Sequence, residues 1–224
     1  MIDKRKQNMS EMVAECADLK DGATVLLGGF GDAGVAVKLV DAIRELGLRD
    51  LTVVSNGAGG GEYGLGNLIQ AGCVRKMICT FPRSSDSKIF ENLYAAGKIE
   101  LETVPQGTMA ERIRAGGAGI PAFYTATAYG TPLADGKEVR EFDDRNYIME
   151  RAIRADVALV HAATGDRWGN LTYRYTARNF NPVMATAAST TLVEVRKFVD
   201  TVHPEEVITP GIFVDRMIVV GEYA

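Results

Sequence analysis

Two side-chain amides stand where apolar runs end. Asn56 follows the run 51–54 through Ser55, and Gln106 follows Val104-Pro105. A third apolar run, Thr24–Leu27, leads into the glycine stretch GGFGDAG, residues 28–34. If these runs are parallel strands of an open α/β sheet, their following loops share one edge, where Asn56, Gln106 and the amides of Gly28, Gly29, Phe30 and Gly31 converge on a crevice. Such groups donate hydrogen bonds but do not attack, so the chemistry they suit is stabilisation of an oxyanion. The chain has no evident attacking group to match them. Its two histidines, His161 and His203, lie far apart with no cysteine at ligand spacing, which argues against zinc. A GxSxG nucleophile elbow and the Gly-Lys-Ser/Thr ending of a P-loop are both absent. Stabilisers without a nucleophile suggest half of an active site.

Gly29 to Gly34 also spells GxGxxG, the turn that brings backbone amides to a pyrophosphate at a helix start. That reading needs an acid at the end of the next strand, roughly 20 residues on. Here the run 51–54 leads into Ser55-Asn56-Gly57, no carboxylate follows until Glu62, and Asp50 lies before the run. A stand-alone nucleotide-binding module stays open as an alternative of another class.

The elements that must position these residues alternate between strand-like and helix-like, the pattern of a largely parallel sheet flanked by helices. Helical periodicity is expected over residues 6–19, with Met12, Val13, Cys16 and Ala17 on one face, and again around Leu39, Val40, Ile43 and Leu46. A second glycine loop, NGAGGGEYG, precedes a helix carrying Leu65, Leu68 and Ile69. Strand 74–80, the loop FPRSSDS, a helix over 89–96 and strand 99–104 follow, and Thr108 with Glu111 forms a capping box. The stretch AGGAGIPAFYTATAYGTPL is expected to be an irregular loop or lid. Residues 138–142 and 146–149 flank Asp143-Asp144 as a β-hairpin excursion. Strand 156–161 restarts the core, with His161 as a satisfied edge residue, and strands 191–195 and 217–220 close it. His203, before Pro204-Glu205-Glu206, is expected to be solvated.

Lys plus Arg is 25 and Asp plus Glu is 29, a net charge of −4 with no long run of either sign, which points away from nucleic acid and from anionic membranes. No stretch reaches the roughly 18 apolar residues of a membrane span, and no secretory leader is recognisable. Cys16, Cys73 and Cys79 are odd in number and lack CxxC spacing, as for buried, reduced thiols of a cytoplasmic protein. The simplest organisation is one domain over residues 1–224.

The motifs DGATVLLGGFGDAGVA, VVSNGAGGGEYGLG, VPQGTMAERIRAGGAGIPAFYT, GKEVREF and YRYTARNFN, in this order over nearly the whole chain, closely resemble the A subunit of family I 3-oxoacid CoA-transferases. FPRSSDS, GDRWGNLTYR and ITPGIFV look most like the 3-oxoadipate enzymes, with the acetoacetate enzymes as nearest competitors. The resemblance implies no resident cofactor, a CoA thioester as substrate with succinyl-CoA as donor, and a B subunit in an A2B2 assembly. The family's nucleophile is a glutamate in a Ser-Glu-Asn-Gly motif of that B subunit; the corresponding strand end here, Ser55-Asn56-Gly57, lacks it. The resemblance places Asn56 and Gln106 in the active-site crevice as orienting and oxyanion-donating groups, and the glycine loop as its wall. Arg83 and Arg178 are the candidates for a distal carboxylate, because an arginine fork holds carboxylate in a defined plane. Arg178 lies in a motif shared with acetoacetate enzymes, so the preference falls to Arg83. Two departures stand out: Ala36 replaces a family proline, and Gly57 replaces a second Asn.

Overall fold

The computed structural model describes residues 2–61, 63–84 and 87–221. Its main sheet follows the order β1 (Arg5–Lys6), β12 (Arg216–Val219), β11 (Ala188–Phe198), β9 (Ala155–Gly165), β2 (Thr24–Leu27), β3 (Leu51–Gly57), β4 (Val74–Phe81) and β5 (Glu100–Thr103). Every pairing along that path is parallel; the short β10 (Leu171–Thr172) adds to β9 antiparallel. Strand order reverses at β2. The chain steps from β2 through β3 and β4 to β5 in one direction, then returns to β9 on the other side.

Helices cover both faces, so the central strands are apolar on both sides. Val25, Leu27, Val53 and Met77 pack under α1 (Met9–Ala14), α2 (Val37–Glu45), α3 (Gly64–Gln70) and α4 (Ile89–Ala95). The alternate residues Leu26, Val54 and Ile78 meet Met109 and Ile113 of α5 (Gln106–Gly117) and Met184 of α6 (Asn181–Ala185). This two-residue alternation between clusters follows from the strand pleat.

Helix α5 begins at Gln106, earlier than a Thr108 cap allows. Pro105 is its N-cap, extended at φ −54° and ψ 138°, and Thr108 is buried inside the first turn with no capping role. The N-terminal helix is shorter than expected because Arg5 and Lys6 pair with Met217 and Ile218 as an edge strand, and Ala17 is exposed. The stretch expected to be irregular contains β6 (Ala122–Thr125), which pairs with β8 (Arg145–Arg151). The hairpin of β7 (Val139–Phe142) and β8 is therefore part of a three-stranded sheet. Its turn places Asp143 at φ 49° and Asp144 at φ 58°, the left-handed pair that a tight hairpin requires.

Arg112 of α5 joins the two sheets. Its Nη1 donates to Glu102 Oε1 of β5 at 2.7 Å and its Nε to the Arg151 carbonyl of β8 at 2.8 Å. Burial raises the Glu102 carboxyl, but hydrogen bonds from Lys76 and Arg112 outweigh that penalty and hold it below its ordinary value. His161 is not an edge residue: it lies within β9, buried, with Nδ1 3.0 Å from Glu194 Oε1 on the adjoining strand. His203 is exposed, as expected, and caps a short turn.

Candidate active site

The C-terminal ends of β2, β3 and β4, beside the reversal of strand order, enclose a cleft of about 480 Å³. Asn56 enters it from the end of β3 and Gln106 from the first position of α5. Although 50 residues apart, the two amides meet: Gln106 Nε2 donates to Asn56 Oδ1 at 2.8 Å. With that bond made, three amide N–H groups remain, one on Gln106 and two on Asn56. The N-terminus of α5 lies at the same point, and its partial positive charge also favours an anion.

Gly29, Phe30, Gly31 and Arg83 line the same cleft. Gly28 is not among the lining residues, because it is pressed against α6: a Cβ there would lie 2.0 Å from Asn181 Oδ1. Arg83 stands at the mouth with its side chain 75% exposed, and its Nε is 3.5 Å from Glu91 Oε1. In FPRSSDS, Ser85 and Asp86 lie outside the described residues, as does Glu62 in the second glycine loop. Arg178 lines a separate cavity of about 700 Å³, which shares only Phe30 and Gln106 with the cleft.

The surrounding groups narrow the chemistry. Cys79 sits beside Ser55 in the sheet, but burial pushes its thiol up to about 12, only partly offset by a backbone hydrogen bond, so no thiolate attacks from there. Burial likewise raises Cys16 and Cys73. Among the described residues no cluster of His, Cys, Asp and Glu is arranged to hold a metal ion, and no helix is long and apolar enough to cross a membrane. Asp32 is the one carboxylate among the described lining residues, and it accepts a hydrogen bond from the Tyr63 hydroxyl across the mouth. Sequence reasoning missed this pair. It links two glycine loops, and neither residue's spacing signals the other.

The glycine loop is not offered to a pyrophosphate. The Gly29 N–H, which that reading needs, donates instead to Asn179 Oδ1 at 3.0 Å. At Gly34 a Cβ would lie 2.4 Å from the Ala177 carbonyl oxygen, so this glycine admits residues 177–181 and not a nucleotide.

Residues 6–220 match the family model for coenzyme A transferase. The chain belongs to the coenzyme A transferase family. It is 53% identical over 223 residues to the A subunit of 3-oxoadipate CoA-transferase from Pseudomonas putida, covering 99% of this chain and 95% of that one. It is 51% identical over 200 residues to the A subunit of succinyl-CoA:3-ketoacid coenzyme A transferase from Xanthomonas campestris pv. campestris strain B100, covering 88% and 82%. The fold is shared with the acyl-CoA transferase apoenzyme of Escherichia coli O157:H7, at a TM-score of 0.84 and 26% identity, over 97% of this chain and 47% of that chain. This family member thus spans about half the length of that crystallised enzyme.

Proposed function

We propose that this chain, as one domain over residues 1–224, is the A subunit of a cytoplasmic transferase that moves CoA from succinyl-CoA to 3-oxoadipate. A B subunit supplies the attacking glutamate in an A2B2 assembly, and no resident cofactor takes part. The observation that carries the reading is the coupled Asn56–Gln106 amide pair in a cleft without histidine or thiolate. High identity to relatives that are themselves named as one of two kinds of subunit supports the need for a partner.

The partner glutamate attacks the thioester carbonyl of succinyl-CoA. The tetrahedral oxyanion collapses, expelling CoA thiolate and leaving a mixed anhydride. The thiolate attacks the glutamyl carbonyl, releasing succinate and forming a glutamyl-CoA thioester. The 3-oxoadipate carboxylate attacks that thioester, and the same two steps run in reverse to give its CoA ester and free glutamate. Each addition puts negative charge on a carbonyl oxygen, where the Asn56 and Gln106 N–H groups act. Gly29, Phe30 and Gly31 shape the wall around the reacting acyl group.

Intact-mass analysis of the complex after incubation with succinyl-CoA tests the division of labour. The CoA adduct is expected on the second chain, with this chain unshifted. An adduct on Asp32, or recovery of this chain from its native cell as a lone 24.2 kDa species at every salt concentration, would overturn the half-site reading.

For acceptor choice, Arg83→Ala should raise KM for 3-oxoadipate by about tenfold and that for acetoacetate by less than about twofold, since one charge-assisted contact to the distal carboxylate is lost. Equal effects on the two acids would remove Arg83 from recognition and favour acetoacetate or another short 3-oxoacid.

A further inference from the structure

Phe30 is 53% exposed and, with Gln106, lines both the 480 Å³ cleft and the 700 Å³ cavity beside it. It stands as a partition between them. Its backbone does not belong to the sheet: Phe30 and Ala33 exchange hydrogen bonds of 3.1 and 3.2 Å across a tight turn in which Gly31 has φ 55°. A two-residue turn with so few bonds needs an outside support to hold an exposed aromatic ring in one place.

That support comes from about 150 residues away. Asn179 Oδ1 accepts from Gly29 N at 3.0 Å, and Asn179 Nδ2 donates to the Ala33 carbonyl at 2.9 Å. One side-chain amide thus binds both strands of the turn at its base, as a neighbouring peptide group would. A second bond from Nδ2, 2.8 Å to the Thr176 carbonyl, and one from Phe180 N to Oδ1 at 2.7 Å fix the amide itself. The backbone is held in unusual conformations around it: Asn179 has φ 20°, and Tyr175, at the other end of the short turn 175–178, has φ 49°. Positive φ at non-glycine residues persists only where surroundings enforce it, and such strain gathers at functional sites. Beneath it, the fully buried Asn181 anchors the base, donating to the Gly34 carbonyl at 2.9 Å and accepting from His161 N at 3.0 Å.

We infer that Asn179 is a positioning residue of the active site: its amide clamps the 29–33 turn so that Phe30 stands opposite Gln106 and sets where the acyl group sits. The kinetic part of this inference rests on the transferase reading; the clamp itself does not. The amide is needed because only a group with both a donor and an acceptor serves the two ends of the turn. In Asn179→Asp the acceptor for Gly29 N survives, but an anionic oxygen faces the Ala33 and Thr176 carbonyls. In Asn179→Gly the clamp is lost while the positive φ becomes unstrained, so failure to fold is not expected.

Two measurements decide it. Hydrogen exchange on the purified chain should show the amides of residues 29–33 exchanging about tenfold or more faster in both variants, with α2 and α5 unchanged. In the complex with the second subunit, both variants should lose about 10–100-fold in kcat/KM through misplacement of the acyl group. In a Phe30→Ala background, Asn179→Gly should add less than about twofold, because the clamp acts through Phe30. Unchanged exchange at 29–33 overturns the clamp whatever the kinetics. Faster exchange with wild-type kcat/KM, or full additivity with Phe30→Ala, overturns the positioning role. If the wild-type complex transfers no CoA, the transferase reading fails together with the positioning role, and the exchange result still decides the clamp.

Discussion

Replacing Gln106 with alanine should lower kcat by about 10²–10³-fold, on the order of 3–4 kcal/mol of transition-state stabilisation, when the chain is assayed with its second subunit. The size of the effect follows from placement. Gln106 is exposed at the first position of α5, and among the described residues its amide bonds only to Asn56. Little apolar contact is lost on truncation, so stability should change by no more than about 0.5 kcal/mol. The variant therefore separates catalysis from folding. KM should move much less than kcat, because the donor matters most once charge has reached the carbonyl oxygen. Gln106→Glu is the sharper test: it keeps the length but places a carboxylate against Asn56 Oδ1 and the developing anion, and it should fall below the alanine variant. Activity of Gln106→Ala within about threefold of wild type would show that the Asn56–Gln106 pair is a turn-stabilising contact, and the oxyanion would have to be held by the partner.

Why Asn56 and Gln106 were legible from sequence, and Asn179 was not, comes down to distance along the chain. Both amides follow apolar strand runs directly, so parallel topology alone brings them to one edge. β2 coincides with the run Thr24–Leu27 because four consecutive apolar or β-branched residues mark a strand buried on both sides. Asn179 and Asn181 sit in ARNFN, and neither propensity nor periodicity tells that this segment presses on the glycine loop. The four glycines at 28, 29, 31 and 34 suggest a ligand, whereas at 28 and 34 the space they leave is filled by the protein's own Asn181 and Ala177. β6 was missed for a related reason. Its AFYT residues favour a strand, but the glycines before it and the TATAYG run after it hid a pairing made only with β8. At α5 a local signal misled. Thr108 and Glu111 have capping-box spacing, but Pro105 had already set the chain on course for a helix, and Thr108 went inside. His161 was placed at an edge because the run 156–161 ends there, while β9 continues to Gly165 between β2 and β11.

The segment GDRWGNLTYR carries the likeness to the family, yet its geometry concerns stability and not chemistry, and Asp166→Ala should show this. Asp166 is fully buried. Its Oδ1 accepts from Trp168 N and Asn170 N, both at 3.0 Å, and its Oδ2 from Asn170 Nδ2 at 3.0 Å and Val202 N at 3.1 Å. One carboxylate thus closes the turn after β9 and fastens it to the chain beyond β11. Asn170 extends the knot, accepting from Gly211 N at 2.9 Å. Alanine would strand three backbone N–H groups, of which Val202 N is buried, at about 1–3 kcal/mol for each donor left dry. Water reaching the two part-buried donors reduces the sum, so the expected loss is about 3 kcal/mol, or roughly 6–12 °C in Tm at this chain length. Asp166→Asn keeps the volume but turns an amide N–H toward donors that need an acceptor, so it should also destabilise, which separates lost hydrogen bonds from a lost side chain. Asp166 does not line the cleft of Asn56 and Gln106. At a temperature where the variants stay folded, kcat should therefore be near wild type, the converse of Gln106→Ala. A Tm change under about 2 °C would mean that these bonds are readily replaced by water, and a selective loss of kcat in a folded Asp166 variant would move this motif from the scaffold into the site.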